Sequence, residues 1–592
     1  MSGRRKTFKV ILIKPSRYDD DGYVVQWVRS GMPSNSLAVL YGLVKDCADR
    51  RVLGPDMLFD IEPFDEANVV IPFARLTREL RAADHCLVGL VGVQTNQFAR
   101  AMDIARTFRA HELPVVIGGF HVSGCLAMLD ELPPEIVEAV QLGVSIYAGE
   151  AEGRVDGLLT DAANGRLKPI YDYLDEAPNI AGAATPILPR SVIRRTFVSY
   201  TSFDAGRGCP YQCSFCTIIN VQGRSSRART ADDVEKIIGE NARIGVRDFI
   251  ISDDNFARNP NWEPILDRLI ALRERAGFDF FLTIQVDLPS YRIPGFIDKA
   301  ARAGCKRVFL GMESINPQAL ISAKKNQNKI WEYQKLFSAW RAAGIMTYVG
   351  YIVGFPADTP EAITRDIAII QREIPLDLLE FFILTPLPGS EDHRALVDRG
   401  VALEPDTNKY NVCHVTVDHP LMSRSELYNA FRAAWRQYYS VAHVKTMFMR
   451  ALAAGSHLSI FTTALYAGSM DIEREHPLEI GFLRRKVRLQ RRPGMPIESW
   501  LVFYARRLLE IVVTNFRWGC LFSRYWAIKL MARWAVLSQR YGECSARKEA
   551  TPLGQRLMET YFASIPETQR RTVETLKNLQ IKINNTGPRP GE

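Results

Sequence analysis

Residues 206–216 read "GRGCPYQCSFC". Three cysteines, Cys209, Cys213 and Cys216, stand in the spacing C-x3-C-x2-C. A closed structural zinc site takes four Cys or His ligands at a recognisable spacing. No histidine lies between residues 122 and 392, and the next cysteine is Cys305, so zinc fits this loop poorly. An iron–sulfur cluster fits better, because thiolates are its standard ligands. A four-iron cluster held by only three cysteines leaves one iron open to a substrate.

The loop follows an apolar stretch, "FVSYTSFDAGRGC", that reads as a strand. Further strand signals come at "DFIISDDNF", "FFLTIQVDL", "RVFLGMES", "TYVGYIVGF" and "LEFFILTPL", each preceded by a helical stretch. Such a series predicts a parallel barrel, or most of one, with its chemistry at the C-terminal strand ends. Polar residues gather at those ends: Asp253, Asp254 and Asn255, then Gln285 and Asp287, Glu313 and Ser314, and Thr385. An acid such as Asp253 or Asp254 also has a purely structural use, capping the turn that follows it.

Upstream, "FKVILIKP", "CLVGLVGVQT", "LPVVIGGFH" and "VSIYAGEAEG" read as strands alternating with amphipathic helices such as "SNSLAVLYGLVKDCADR". That is an α/β pattern with a parallel sheet, whose ligands sit beyond the C-terminal strand ends. The expected fold class is α/β throughout: a doubly wound, Rossmann-like domain over residues 1–170, a Pro- and Ala-rich linker over 171–195, a partial TIM-type (β/α)6 barrel over 196–400, and a mostly helical basic region over 401–592.

The 592 residues are 47% hydrophobic, which supports a buried core and excludes global disorder. Ten cysteines show no disulfide framework, and the basic, briefly apolar N-terminus reads as a strand and not as a signal peptide. Both point to the cytoplasm. Residues 421–592 hold 27 Lys and Arg against 13 Asp and Glu, hence +14, so the rest carries −5 of the total +9. This asymmetry points to an anionic surface, membrane before nucleic acid. "RRKVRLQRR" (484–492) precedes a stretch that interleaves Trp, Phe and Tyr with Arg and Lys at helical spacing. It reads as an interfacial, monotopic helix in preference to a spanning one. Ahead of either stands a helical cap packed on the barrel with its basic side wet; the membrane-surface helix comes second and nucleic-acid binding third.

With Phe215 just before the last cysteine, the loop resembles the signature of the radical S-adenosylmethionine (SAM) enzymes. The resemblance implies that the open iron chelates the amino and carboxylate groups of SAM, and that an electron from the cluster cleaves SAM to methionine and a 5′-deoxyadenosyl radical. "SDDNF" (Asp253, Asp254, Asn255), Gln285, Glu313 in "GMES", Gly354 in "GYIVGFP" and the ending "TPLPGS" resemble the family's SAM-side strand ends. A flavodoxin or ferredoxin would supply the electron.

The front region resembles the cobalamin-binding domain of a radical SAM subclass, through "PSNSLAVLYGL", "GGFHVSG" and "YAGEAEG". The resemblance implies corrinoid contacts from Gly118, Gly119, His121, Ser123, Gly149 and Glu150. Glycine lets backbone approach a large planar ring. The chain departs from the pattern in having no D-x-H-x-x-G, whose histidine ligates cobalt; "FDIEPFDEAN" stands at that place. The implied activity is methylation of an unactivated carbon in a hydrophobic, lipid-like small molecule. Alternatives within reach are an anaerobic cyclase acting on porphyrin esters and, less suited, a tRNA methylthiotransferase, whose additional cluster cysteines and β-rich tail have no counterpart here.

Overall fold

The nine-residue run "KTFKVILIK" is too apolar for a sheet edge and forms the strand β1 (Lys6–Lys14), paired on both sides. The chain is described here from a computed structural model over residues 5–197, 199–456 and 458–538. The tail "LQIKINNTGPRPGE" and the rest of 539–592 lie outside the described residues.

Around β1 assemble β2 (Met57–Asp65), β3 (His85–Leu90), β4 (Val115–Gly118), β5 (Ser145–Ala148) and β6 (Ile170–Asp172). All pair in parallel, in the order β2-β1-β3-β4-β5-β6. The order reverses between β1 and β3, which opens a crevice at their C-terminal ends. Helices α1 (Asn35–Asp49), α2 (Phe120–Met128) and α3 (Val155–Ala163) border it. Ser34 caps α1 by accepting a hydrogen bond from the Leu37 amide at 3.2 Å.

A second all-parallel sheet holds β7 (Tyr200–Phe203), β8 (Asp248–Ile251), β9 (Phe281–Val286), β10 (Cys305–Glu313), β11 (Met346–Val353) and β12 (Leu378–Ile383) in chain order. β7 and β12 are its two edges, so the barrel is partial. Near its N-terminal end Arg307 ties four strands together. It donates to the Tyr200 hydroxyl at 2.8 Å, to Thr283 Oγ1 at 2.9 Å and to the Asp248 carboxylate. The outer face buries Phe249, Leu282, Val308 and Val349 under the flanking helices.

After the barrel come α4 (Arg424–Tyr438), α5 (Val441–Ala453), α6 (Ile460–Ile472) and the long α7 (Trp500–Leu537). They cover the β12 edge. Trp435 of α4 packs on Phe381 with ring centroids 5.2 Å apart, and Tyr466 of α6 donates to the buried Glu380 at 2.7 Å.

The stretch 171–195, read as linker from its Pro and Ala content, begins inside β6, because Tyr171 packs against Tyr147 at the sheet edge. The C-terminal region is mostly helical over the described residues, as expected, with one short strand. Gly481–Arg485 forms an antiparallel pair with Gln26–Ser30. The basic run 484–492 therefore starts in a strand, anchored where Arg484 meets Asp19 and Glu475.

Candidate functional site

β7 ends at Phe203, and the chain turns through Gly206 and Gly208 into the cysteine loop. Gly208 sits at φ +94°, and a Cβ there would lie 2.5 Å from the Ser225 carbonyl oxygen. Glycine is thus required at that position. The loop has little secondary structure, so its amides are held by side chains from neighbouring strand ends. Asp253 accepts from the Ala205 amide at 2.6 Å and from Asn259 Nδ2 at 3.0 Å. Asp254 accepts from the Gly208 amide at 2.9 Å. Tyr211 donates to Asp287 at 2.7 Å, and Asp287 also accepts from Asn255 and Arg258. Burial pushes Asp253 up to about 7 and Asp254 up to about 6.

The three thiols share this loop. Burial raises Cys209 and pushes Cys216 up to about 12. Such thiols stay protonated until a metal draws the proton off. Among the described residues no group of three or more His, Cys, Asp or Glu side chains stands as a ready-made metal site. The loop offers thiols rather than a closed cage. Beside it, Lys325 pairs with Glu313 at 2.6 Å and lies 5.7 Å from the centre of the Phe215 ring. Burial opposes the Lys325 charge, but Glu313 and Cys213 outweigh it and raise its pKa. Glu313 itself takes φ +63°, in the left-handed region where a non-glycine residue is strained.

Across the crevice lies a cavity of about 350 Å³. Gly118, Gly119, Ser123, Gly149 and Glu150 line one wall; Asp204, Gly206, Arg207 and Asp254 line the other. Its depth is apolar, with Leu12, Val39, Leu87 and Leu159. Gly119 has φ +148°, and a Cβ on it would fall 2.1 Å from the Val93 amide nitrogen. Gly149 has φ +95°, and its amide donates to Ser123 Oγ at 3.1 Å. A larger cavity, about 690 Å³, lies beside α6 and α7 and contains none of the cysteine-loop residues.

The predicted residues therefore fall into groups. The three cysteines, Phe215, Asp254 and Glu313 come together around the loop. Gln285 is exposed nearby, its Nε2 3.5 Å from the Asp254 carbonyl oxygen. Asp253 and Asn255 are taken up in holding backbone and Asp287. Gly354 (φ +102°) faces Leu427 of α4, not the cysteine loop. His121 does not line the cavity. It is buried against Phe98 at 4.4 Å with Nδ1 3.3 Å from Thr95 Oγ1, and burial, with His393, lowers it to about 3.

Arg207 went unnoticed in the sequence, although it joins both walls. Buried two residues before Cys209, it donates to Glu150 at 2.6 Å and to Glu152 at 2.6 and 2.9 Å, and pairs with Asp204 at 3.2 Å. Arg227 binds Glu150 from the other side. The readable signal was the acid pair in "GEAEG", which needs a cation if buried.

The radical SAM superfamily profile matches residues 205–368. The chain is 29% identical over 353 residues to bacteriochlorophyllide d C-8(2)-methyltransferase of Chlorobaculum tepidum, covering 56% of this chain and 73% of that protein. It is 25% identical over 334 residues to the hopanoid C-2 methylase of Rhodopseudomonas palustris, covering 56% and 60%. Among solved structures, its fold resembles the radical S-adenosylmethionine methyltransferase TsrM from Kitasatospora setae with cobalamin and a 4Fe–4S cluster bound, with TM-score 0.56, 15% identity, and coverage of 79% and 98%. The matched segment holds the C-x3-C-x2-C loop and strands β8 to β11 of the partial parallel barrel, so residues 205–368 form a radical SAM domain.

Proposed function

We propose that this protein is a cobalamin-dependent radical SAM methyltransferase acting on an unactivated carbon of a hydrophobic, lipid-like small molecule. The observation that carries the reading is the shared cavity: a glycine-built wall from the front sheet faces a wall leading directly into the cysteine loop. When bound, the cluster supplies the electron that splits SAM, and cobalamin supplies a transferable methyl group.

The chain's own residues divide the work. Cys209, Cys213 and Cys216 would hold the cluster. Asp254, Gln285 and Glu313 are the groups left beside it to receive SAM. Gly118, Gly119, Ser123 and Gly149 would bear the corrinoid, since they line the cavity together and present backbone to it. Among the described residues no histidine lines this cavity. Arg207 fixes one wall against the other, so that two bound groups keep a constant separation. Holding reactants at fixed distance is where such a scaffold contributes most.

Methylation is favoured over cyclisation because both relatives named above are methylating enzymes. A flavodoxin or ferredoxin would deliver electrons, and the protein would work in the cytoplasm, at the inner face of a membrane.

The test is anaerobic turnover of the loaded enzyme with SAM, a reductant, and lipid or porphyrin-ester extracts. Release of 5′-deoxyadenosine with a product heavier by one CH2 is expected. A product that has lost hydrogens and gained a ring would give the protein to the cyclases instead.

A further inference from the structure

The helix α7 is 38 residues long, about 57 Å at 1.5 Å per residue. One side is anchored. Phe503, Tyr525, Ile528 and Ala532 are buried, Trp518 donates to Glu473 at 2.9 Å, and Phe522 stacks on Phe461 of α6 at 5.8 Å. The opposite side faces outward and is apolar except for Ser523. Stepping three or four residues at a time from Leu501 through Ala505, Leu508, Val512 and Phe516 to Leu537 meets only Leu, Ala, Val, Phe, Gly, Ser and Trp. Leu508 is 66% exposed, Phe516 71%, Trp526 60% and Trp534 66%. Contiguous exposed apolar surface of this extent marks a partner.

Charge identifies the partner. α7 carries five arginines and Lys529 against a single carboxylate, Glu510, and Glu510 pairs inward with Arg507 and Lys486. Arg524 and Arg533 flank the apolar face, Arg517 lines the larger cavity, and none of the three makes an ion pair among the described residues. No described helix is long and apolar enough to cross a membrane. A long apolar stripe with basic flanks, two outward tryptophans and no acidic residue on that side suits a helix lying in the plane of a membrane.

We propose that α7 is a monotopic docking helix that lays its outward face into an anionic lipid bilayer, with Arg524 and Arg533 against lipid phosphates. This gives the lipid-substrate reading above a definite surface and rests on that reading only for its purpose, not for its geometry.

The test uses the full-length chain loaded anaerobically with iron, sulfide and hydroxocobalamin. It is floated on a density gradient with vesicles of phosphatidylcholine alone or with about one third phosphatidylglycerol. Most of the chain should rise with the anionic vesicles, and high salt should weaken association about tenfold. The double variant Val512→Glu, Phe516→Glu should stay behind, at least about tenfold weaker in binding. These positions are solvent-facing, so the variant should keep its iron content and melting temperature. Trp526 and Trp534 emission should shift to the blue only with anionic vesicles. The proposal is overturned if the wild-type chain stays at the bottom with both vesicle types, or if the double variant floats equally well. It is overturned too if the stripe instead mediates a concentration-dependent dimer that the glutamates split, or is covered by residues after 538. Flotation requires neither SAM cleavage nor corrinoid, so its outcome is separate from that of the methyltransferase reading.

Discussion

The loop carrying Cys209, Cys213 and Cys216 keeps its shape through side chains borrowed from neighbouring strands, whereas the front crevice is shaped by side chains that are missing. In the loop, Asp253, Asp254 and Asp287 hold amides, a tyrosine and an arginine in place. In the crevice, Gly119 and Gly149 take positive φ, and a Cβ on either would collide with the backbone of Val93 or Tyr173. A loop of the first kind can re-aim its thiols as a metal binds. A wall of the second kind is rigid, and it suits a large flat ligand. Arg207, just before the loop, reaches across the crevice to Glu150.

The comparison can be broken at each of these points, beginning with the largest effect. Cys213→Ala should remove most bound iron and all SAM cleavage while leaving corrinoid retention intact, measured by metal analysis and absorbance of the desalted protein. Arg207→Met leaves Glu150, Glu152 and Asp204 buried without their shared cation. Losing one partner of a buried pair costs about 3–5 kcal/mol, so the variant should melt lower and lose both iron and corrinoid. If only one group is lost, Arg207 serves that group alone and does not couple the walls. Gly119→Ala should cost about 1–3 kcal/mol and abolish corrinoid retention at normal iron content, the mirror image of the cysteine variant. Asp287→Asn, which weakens the bonds from Tyr211 and Arg258, should cost about 1–3 kcal/mol at most. It should slow cluster loading without preventing it, as followed by the time course of iron uptake.

Most of the fold was legible because strands buried on both faces read as unbroken apolar runs. The two strands of the main sheets that went unread are β2 and β6, the edges of the front sheet. In "MLFDIEPFD" polar residues alternate with apolar ones and Pro63 interrupts, which an edge tolerates and a central strand does not. The cysteine spacing announced its chemistry outright. Asp253 and Asp254 could be picked out as strand-end acids, yet nothing in "SDDNF" says which one is locked onto the Ala205 amide. Arg207, a lone arginine between two glycines, looks like surface until Glu150 and Glu152 arrive from a segment more than fifty residues upstream. His121 misled because a histidine beside "GGF" suggests a ligand, while packing turns its ring onto Phe98. The helical periodicity of α7 was plain, but its apolar side could equally have faced the barrel. Only the packing of Tyr525 and Ile528 inward decides that the Leu508–Phe516 side faces out.

The most direct test of the account is to load the full-length chain anaerobically with iron, sulfide and hydroxocobalamin, desalt it, and count iron and corrinoid together. The shared-cavity reading predicts about four iron and about one corrinoid per chain, with Arg207→Met deficient in both. Iron at that level with no retained corrinoid would contradict it, and would leave a radical SAM enzyme whose front crevice serves another ligand.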